Sequence, residues 1–171
     1  MSAEISDYFI RPLDKSDRNW VAQFMDKHWG STKIVSRGKV HYGHLMPGFV
    51  AITGTPEEPG DKIGLITYRL EEDECEIITM NSLLPRHGVA SALIKAVKEV
   101  VSQAGVKRLW LITTNDNLIA LRFYQKRGFV LAAIYPEALA ESRKLKPQIP
   151  IIGLDGIPLR DEIELRWDGR E

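Results

Sequence analysis

Between residues 74 and 135 the chain alternates between strand-like and helix-like segments, and this alternation limits the fold more than any other feature. Apolar residues recur at helical spacing over 89–104, and Gly105 ends that helix. Residues 108–114 are largely apolar, as expected of a strand that is buried on both faces. A second helix then leads to a strand over 129–135. This order predicts parallel strand pairing through a right-handed crossover.

The first half of the chain predicts strands that follow one another closely. Four segments have the composition and spacing of strands, namely residues 8–13, 49–53, 63–68 and 74–81. The last three indicate an antiparallel meander, and a helix that ends at Gly30 precedes them. Residues 31–47 show no clear period. Together the two halves predict an α/β fold with a mixed sheet, in which the meander is followed by the parallel strand–helix–strand unit.

Composition limits the class of protein and of partner. A chain of 171 residues is expected to form a single domain over 1–171. Lysine plus arginine and aspartate plus glutamate each number 23, so the basic excess typical of nucleic-acid binding is missing. Cys75 is the single cysteine, and no Cys/His spacing indicates a metal site. The polar residues 1–7 and the lack of a long apolar run predict a cytoplasmic protein without a membrane segment.

A glycine-containing turn precedes the first helix of the alternating span. Helix N-termini bind phosphate, because their first N–H groups are unpaired and carry a partial positive charge. Gly88 lets an anion approach the backbone, Ala90 keeps the next position small, and Arg86 and His87 add donors. An ordinary strand-to-helix turn explains the same glycine, so this segment alone leaves both interpretations open.

The second helix of the span carries a more specific pattern. Amphipathic packing explains the apolar residues Leu121 and Phe123. It does not explain an amide at the start, Asn117, or a basic residue, Lys126, close to the titratable hydroxyl of Tyr124.

These two segments resemble the cofactor motifs of the GNAT superfamily of N-acetyltransferases. The first motif of that family runs Gln/Arg-x-x-Gly-x-Gly/Ala, which the chain matches at Gly88 and Ala90 but not at Pro85. The second, Asn-x-x-Ala-x-x-Phe-Tyr-x-Lys-x-Gly-Phe, is matched at every fixed position from Asn117 to Phe129. The resemblance covers about residues 8–167 and implies a GNAT-like sheet whose two central strands splay apart.

The resemblance also implies an activity and a set of contacts. It implies that acetyl-CoA is the co-substrate and that a primary amine of a small molecule or peptide attacks the thioester directly in a ternary complex. Tyr124 would lie close to the thioester sulfur. The implied cofactor-binding residues are Ile78, Met80, Ser82, Arg86, His87, Gly88, Val89, Ala90, Ser91, Asn117 and Tyr124.

The chemistry of acetyl transfer indicates two catalytic candidates. Only about one lysine-like amine in a thousand is neutral at pH 7, so a general base is useful. We hypothesise that Glu76 is this base; a solvated carboxylate in an acidic run is the alternative. We hypothesise that Tyr124 protonates the departing thiolate; a packed tyrosine that shapes the site is the alternative. Cys75 is better explained as a buried strand cysteine than as a nucleophile.

The acceptor region is the least determined part of the sequence. Trp29 and Arg37 fall where the family varies its acceptor site, and they are the candidate acceptor-binding residues; for Trp29, packing in the core or at its rim is the preferred alternative. Asp161 and Glu162 could face the acceptor from the last strand, but a solvated edge strand is the preferred interpretation. The basic residues in 143–146 are interpreted as a solvated helix face. The tail could take part in a homodimer. A non-catalytic acyl-CoA-binding module and a transferase for longer acyl chains remain the alternative functions.

Overall fold

The computed structural model describes residues 7–85, 87–167 and 169. The polar start of the chain and Arg86 lie outside these residues. The strands are β1 (Tyr8–Pro12), β2 (Lys33–Ser36), β3 (Lys39–Tyr42), β4 (Gly48–Gly54), β5 (Pro59–Glu71), β6 (Glu74–Ser82), β7 (Arg108–Thr114), β8 (Phe129–Tyr135) and β9 (Glu162–Trp167). The helices are α1 (Arg18–Trp29), α2 (Val89–Ala104), α3 (Leu118–Gln125) and α4 (Ala138–Leu145).

Within the described residues, seven strands form one sheet in the order β1-β4-β5-β6-β7-β9-β8. The pairs β1–β4, β4–β5 and β5–β6 are antiparallel, which confirms the predicted meander. β6 and β7 form a parallel pair, as the alternation of strand and helix predicts. β9 lies between β7 and β8 and is antiparallel to both. The α/β fold class is therefore confirmed.

The position of β9 corrects one interpretation of the sequence. Residues 161–162 were expected on a solvated edge strand, but β9 is flanked by a strand on each side. Glu162 and Glu164 are consequently only 3% and 2% exposed. β8 takes the edge position instead, and Leu131 and Ile134 on it are exposed.

Helices cover both faces of the sheet. Consecutive residues of a strand point to opposite faces, so neighbouring residues of β6 pack against different helices. On one face α2 packs through Leu93 and Val97 in a cluster that includes Ile77 of β6. On the other face α1 packs through Met25 in a cluster that includes Ile78. The centre of β6 is therefore covered on both sides. Among the described residues, no helix is long and apolar enough to cross a bilayer.

β2 and β3 form a separate hairpin that the sequence analysis did not predict. Its turn residues, Arg37 and Gly38, have φ values of 49° and 71°, as a two-residue type I′ turn requires. Lys146, just after α4, donates hydrogen bonds from Nζ to the carbonyl oxygens of Trp29 (3.1 Å) and Lys33 (2.8 Å). These bonds fasten the hairpin to the end of α1. Lys146 is buried, so its assignment to a solvated face is wrong, and burial lowers its pKa.

The tail loop between α4 and β9 folds back onto the turn between β7 and α3. Asn115 Oδ1 accepts hydrogen bonds from the N–H groups of Arg160 (3.0 Å) and Asp161 (2.9 Å). Asp116 Oδ2 accepts one from the N–H of Leu154 (2.9 Å). These contacts hold the start of α3 in place.

Asp17, at the start of α1, joins three elements of the N-terminal half. Its carboxylate accepts two hydrogen bonds from Arg11 of β1 (2.7 and 2.9 Å) and one from Lys62 of β5 (3.0 Å). The N–H of Asp14 adds a fourth at 2.9 Å. These partners hold the pKa of the buried Asp17 carboxyl well below its usual range, and the bond to Arg11 is the largest cause. The charge network fixes the direction in which α1 leaves the sheet.

We expect Asp17→Asn to lower the free energy of unfolding at pH 7 by about 2–3 kcal/mol, because two charge-assisted contacts are lost. A carboxylate with a lowered native pKa stabilises the fold above its unfolded-state pKa of about 3.9 and loses that contribution as the pH falls through the native pKa. Urea unfolding should therefore show a smaller difference between variant and wild type at pH 3 than at pH 7. Asp26→Asn, on the exposed side of α1, is the control. A difference that is independent of pH would contradict this account.

Candidate functional site

β6 and β7 separate part-way along their length. Residues 74–77 of β6 pair with 108–111 of β7, and the ladder then ends. Beyond this point β7 continues to pair with β9, while β6 pairs with β5. A cavity of about 540 Å³ opens between residues 78–82 and the end of β7. One backbone edge of 78–82 therefore lacks a strand partner on the cavity side.

Most of the predicted cofactor-binding residues lie on the wall of this cavity. His87 does not: it is exposed, and its Nδ1 lies 3.0 Å from the carbonyl oxygen of Pro85. Arg86 lies outside the described residues. The predicted residues on the wall are Ile78, Met80, Ser82, Gly88, Val89, Ala90, Ser91, Asn117 and Tyr124.

The start of α2 closes one end of the cavity. Gly88 is the N-cap residue, its φ of 75° lies in the left-handed region that favours glycine, and no side chain caps the helix. The N–H of Ala92 bonds the carbonyl oxygen of Gly88 at 3.0 Å. The preceding N–H groups, of Val89, Ala90 and Ser91, have no acceptor within the helix. This end of the cavity therefore offers hydrogen-bond donors and a partial positive charge.

Arg127 lies on the same wall, and the sequence analysis missed it. Its Nε donates to Ser91 Oγ at 2.9 Å, and its guanidinium lies 3.6 Å from the centre of the Phe123 ring. It thus adds a full positive charge beside the start of α2. Its position in the sequence was a signal, because residues three apart on a helix are neighbours and Arg127 follows Tyr124 by three. The motif, however, has Lys126 and not Arg127 as its fixed basic position.

Tyr124 projects from α3 between two other aromatic rings. The rings of Phe123 and Phe129 meet it edge-on, with centroid distances of 5.2 and 5.4 Å. The residue is only 6% exposed, yet it lines the cavity. Burial raises the pKa of Tyr124 well above its usual range, while the charge of Arg127 opposes the shift. The hydroxyl is consequently protonated at neutral pH and can act as a hydrogen-bond donor.

Glu76 lines a second, smaller cavity of about 150 Å³. It is 2% exposed, so the alternative of a solvated carboxylate is wrong. Its carboxylate accepts a hydrogen bond from Ser36 Oγ (2.7 Å) and one from Arg69 (3.3 Å). Burial raises the pKa of Glu76, and these two partners oppose the shift. The neighbouring Cys75 is fully buried, as predicted, and burial raises the pKa of its thiol to about 12.

Trp29 and Arg37, the candidate acceptor-binding residues, occupy different positions. Trp29 lines both cavities, and its Nε1 donates to Asn81 Oδ1 at 2.6 Å. Arg37 lines neither cavity; its guanidinium lies 3.3 Å from the centre of the Tyr135 ring. Both the N–H of Arg37 (3.1 Å) and its Nη1 (3.5 Å) approach the carboxylate of Glu162. Glu162, which the sequence analysis placed on a solvated strand, does line the smaller cavity.

Comparison with known proteins gives the family. The model of the acetyltransferase (GNAT) family matches residues 15–129, which include both segments that line the larger cavity. The chain belongs to the GNAT family of acetyltransferases. It is also 38% identical to the uncharacterised protein YdhI of Bacillus subtilis (strain 168) over 154 residues, which cover 90% of this chain and 94% of that protein.

Solved structures share the GNAT fold of this chain. An IAA acetyltransferase from Bacillus cereus ATCC 14579 superposes with a TM-score of 0.66 at 20% identity, covering 94% of this chain and 99% of that one. A Bacillus subtilis acetyltransferase in complex with CoA has a TM-score of 0.65 at 18% identity, with 95% and 99% covered. Family and fold make this chain an acetyl-CoA-dependent acyltransferase.

The residues of the larger cavity fit acetyl-CoA. Its volume lies within the range of about 300–1,000 Å³ that is usual for cofactor sites. An uncapped helix start and Arg127 match the negative charge of phosphates. The free edge of 78–82 matches the amides of an extended pantetheine arm, since such an arm can pair as an added strand.

Asn117 offers a test of one wall residue. Its Oδ1 caps α3 by accepting the N–H of Ala120 at 3.1 Å, which leaves its NH₂ group as a donor. Asn117→Ser retains a capping oxygen but loses the NH₂ donor. We expect this variant to keep its melting temperature within about 2 °C and to bind acetyl-CoA roughly 5- to 10-fold more weakly by calorimetry, as for the loss of one hydrogen bond.

Asn117→Ala is the comparison variant, because it loses the cap as well and should be destabilised by about 1 kcal/mol. Equal acetyl-CoA affinity in wild type and Asn117→Ser would show that the amide group makes no contact with the cofactor.

Proposed function

We propose that this chain transfers the acetyl group of acetyl-CoA to a primary amine of a small molecule or peptide by direct attack in a ternary complex. The observation that carries the proposal is the meeting of two cavities where β6 and β7 separate. One cavity has an anion-binding helix start and Tyr124, and the other contains the buried carboxylate of Glu76. The donor and the acceptor can thus approach each other from opposite faces of the sheet.

In this proposal the larger cavity binds the donor. Acetyl-CoA supplies an activated acetyl thioester. The N–H groups at the start of α2 receive the pyrophosphate, with Arg127 as an additional donor. Arg86 stays a further candidate on the sequence alone. Ile78, Met80 and Ser82 present the backbone edge to the pantetheine arm. An N–H near Met80 then receives the thioester carbonyl oxygen, where a fixed donor stabilises the charge that develops during attack.

Glu76 is the proposed general base. An amine enters mostly as an ammonium ion, and its nitrogen must give up one proton before it can attack. The raised pKa of Glu76 brings its basicity closer to neutral pH than that of an ordinary glutamate, which makes it a better proton acceptor. Ser36 and Arg69 hold the carboxylate in a fixed orientation.

Tyr124 is the proposed proton donor to the departing sulfur. As the nitrogen–carbon bond forms and the carbon–sulfur bond breaks, the sulfur gains the phenolic proton. The nitrogen releases its second proton to solvent, and Tyr124 is reprotonated from solvent. The raised pKa of Tyr124 keeps the hydroxyl available as a donor, but it also makes the hydroxyl a weaker acid than free tyrosine. Its contribution is therefore expected at the lower end of the range for general acids.

The wider setting of the reaction is part of the same proposal. Balanced charge argues against a nucleic-acid partner, and the single buried cysteine suits a reducing cytoplasm. We also propose that residues 1–171 act as one domain without a membrane partner, and that the domain can form a homodimer.

Glu76→Gln should lower kcat/KM by roughly 10²- to 10⁴-fold, because the variant cannot accept a proton. In the wild type, activity should fall as the pH decreases through the raised pKa of Glu76, since the protonated carboxyl is no longer a base. This acidic limb should lie above the pH expected for an ordinary glutamate of pKa about 4.3 and should disappear in the variant. The measurement is CoA release from acetyl-CoA across pH with an amine acceptor. A variant with an unchanged pH profile would remove Glu76 from this role.

Tyr124→Phe should lower kcat by roughly 10- to 100-fold with little change in the KM for acetyl-CoA, since the ring is kept and one proton donor is lost. The matched control is Tyr135→Phe, which removes the hydroxyl of a tyrosine that lies on β8 and lines neither cavity. Undiminished turnover in Tyr124→Phe would support a packing role instead.

The same CoA-release assay separates the alternatives. A non-catalytic binding module would bind acetyl-CoA without releasing CoA in the presence of any amine. A transferase for longer acyl chains would bind propionyl-CoA or succinyl-CoA more tightly than acetyl-CoA.

A further inference from the structure

We propose that the acceptor is a cationic primary amine on a slim, unbranched alkyl arm without a carboxylate beside the amine, and that Glu162 binds its ammonium group in the smaller cavity. This inference rests on the proposed function and adds a substrate class and a specificity residue to it.

The smaller cavity lies next to the larger one and shares part of its wall. The residues common to both walls are Trp29, Ile77, Ile78, Ile112, Thr113 and Asn117. Its other walls come from the β2–β3 hairpin, from α4 and from β9. A molecule in the smaller cavity therefore points toward the region proposed for the thioester.

The size of the smaller cavity limits what it can hold. Its volume of about 150 Å³ is roughly half the lower bound for sites that enclose a drug-sized ligand. Apolar side chains of Ile34, Ile78 and Leu139 face it, together with the Trp29 indole. These walls suit a short methylene chain. A branch next to the nitrogen would meet side chains that are already well packed.

The charges around the cavity select for a cation. Glu76 and Glu162 both line it and are both almost fully buried. Their basic partners, Arg69 and Arg37, do not line it. Among the described residues, its wall contains no lysine, arginine or histidine. A carboxylate on the acceptor would therefore face two buried carboxylates without a compensating charge.

Glu162 retains the capacity to bind an ammonium group. A carboxylate offers about four acceptor positions. The N–H of Arg37 takes one at 3.1 Å, and the Arg37 guanidinium approaches another only at 3.5 Å. By comparison, Ser36 donates a shorter hydrogen bond to Glu76, at 2.7 Å, and Arg69 donates one at 3.3 Å. The three N–H donors of an ammonium ion can be shared between the two carboxylates, so that Glu162 binds it while Glu76 takes one proton.

The test uses the full chain and two pairs of amines. Pentylamine and norleucine differ by a carboxylate that also branches the carbon beside the nitrogen, and n-butylamine and tert-butylamine differ by branching alone, so the second pair separates shape from charge. Acetylation is followed by CoA release and by mass spectrometry of the product. We expect the kcat/KM for pentylamine to exceed that for norleucine at least 10-fold, and n-butylamine to exceed tert-butylamine similarly.

Variants then assign the selectivity to Glu162. Glu162→Gln should raise the KM for pentylamine about 10-fold, leave the KM for acetyl-CoA unchanged and reduce the preference for pentylamine over norleucine. Arg37→Gln should lower the KM for pentylamine, because Glu162 loses a competing cation. Glu164→Gln is the control: it is equally buried on the same strand but lines neither cavity. Acetyl-CoA binding by calorimetry verifies that each variant is folded.

The results separate a failure of this inference from a failure of the proposed function. Equal turnover of pentylamine and norleucine, or an unaltered preference in Glu162→Gln, overturns the inference. Acetylation of peptide N-termini without acetylation of any alkylamine overturns it as well, but leaves the proposed function intact. No CoA release with any amine or peptide, despite acetyl-CoA binding, overturns both.

Discussion

The site depends on the point where the β6–β7 ladder stops. Up to Ile77 and Leu111 the two strands satisfy each other's backbone groups. Beyond it, β7 continues to pair with β9 on its far edge and β6 with β5, so the two edges that face each other are left open. Because unpaired backbone groups are costly when they are buried away from water, the gap must be filled by solvent or by a ligand that pairs as a strand does. A binding edge is thus created by sheet geometry rather than by any one side chain.

The helices and strands that short stretches of sequence specify on their own could be predicted. Helical periodicity with glycine ends gives α2 and α3, and turn-rich segments separate the meander strands. The segment that carries Tyr124 is specific enough to indicate the donor site. The hairpin of β2 and β3 was missed because its strands have four residues each and a turn without Asn-Gly or Asp-Gly. The Arg37–Gly38 pair was its only local signal.

The smaller cavity could not be predicted, because it is formed by contacts between distant segments. Nothing near Glu162 in the sequence shows that β9 inserts between β7 and β8, and this insertion buries the carboxylate. Ser36 approaches Glu76 across 40 positions of sequence, and Lys146 reaches Lys33 across 113. Charged residues were assigned to solvent because that is their commonest location, and the few buried ones are those that the tertiary fold brings together.

The two cavities differ in how rigidly their walls are held, and the contacts of Lys146 show the difference. The wall of the larger cavity consists mostly of sheet and helix residues, whose backbone many hydrogen bonds fix at once. Part of the wall of the smaller cavity is the hairpin, which a few side-chain contacts hold in place: Lys33 and Lys146 fasten it to α4, and Ser36 and Arg37 fasten it to the sheet. Substitutions among these contacts can move the hairpin without loosening the sheet. The shape of the smaller cavity can therefore change while the walls of the larger cavity stay the same.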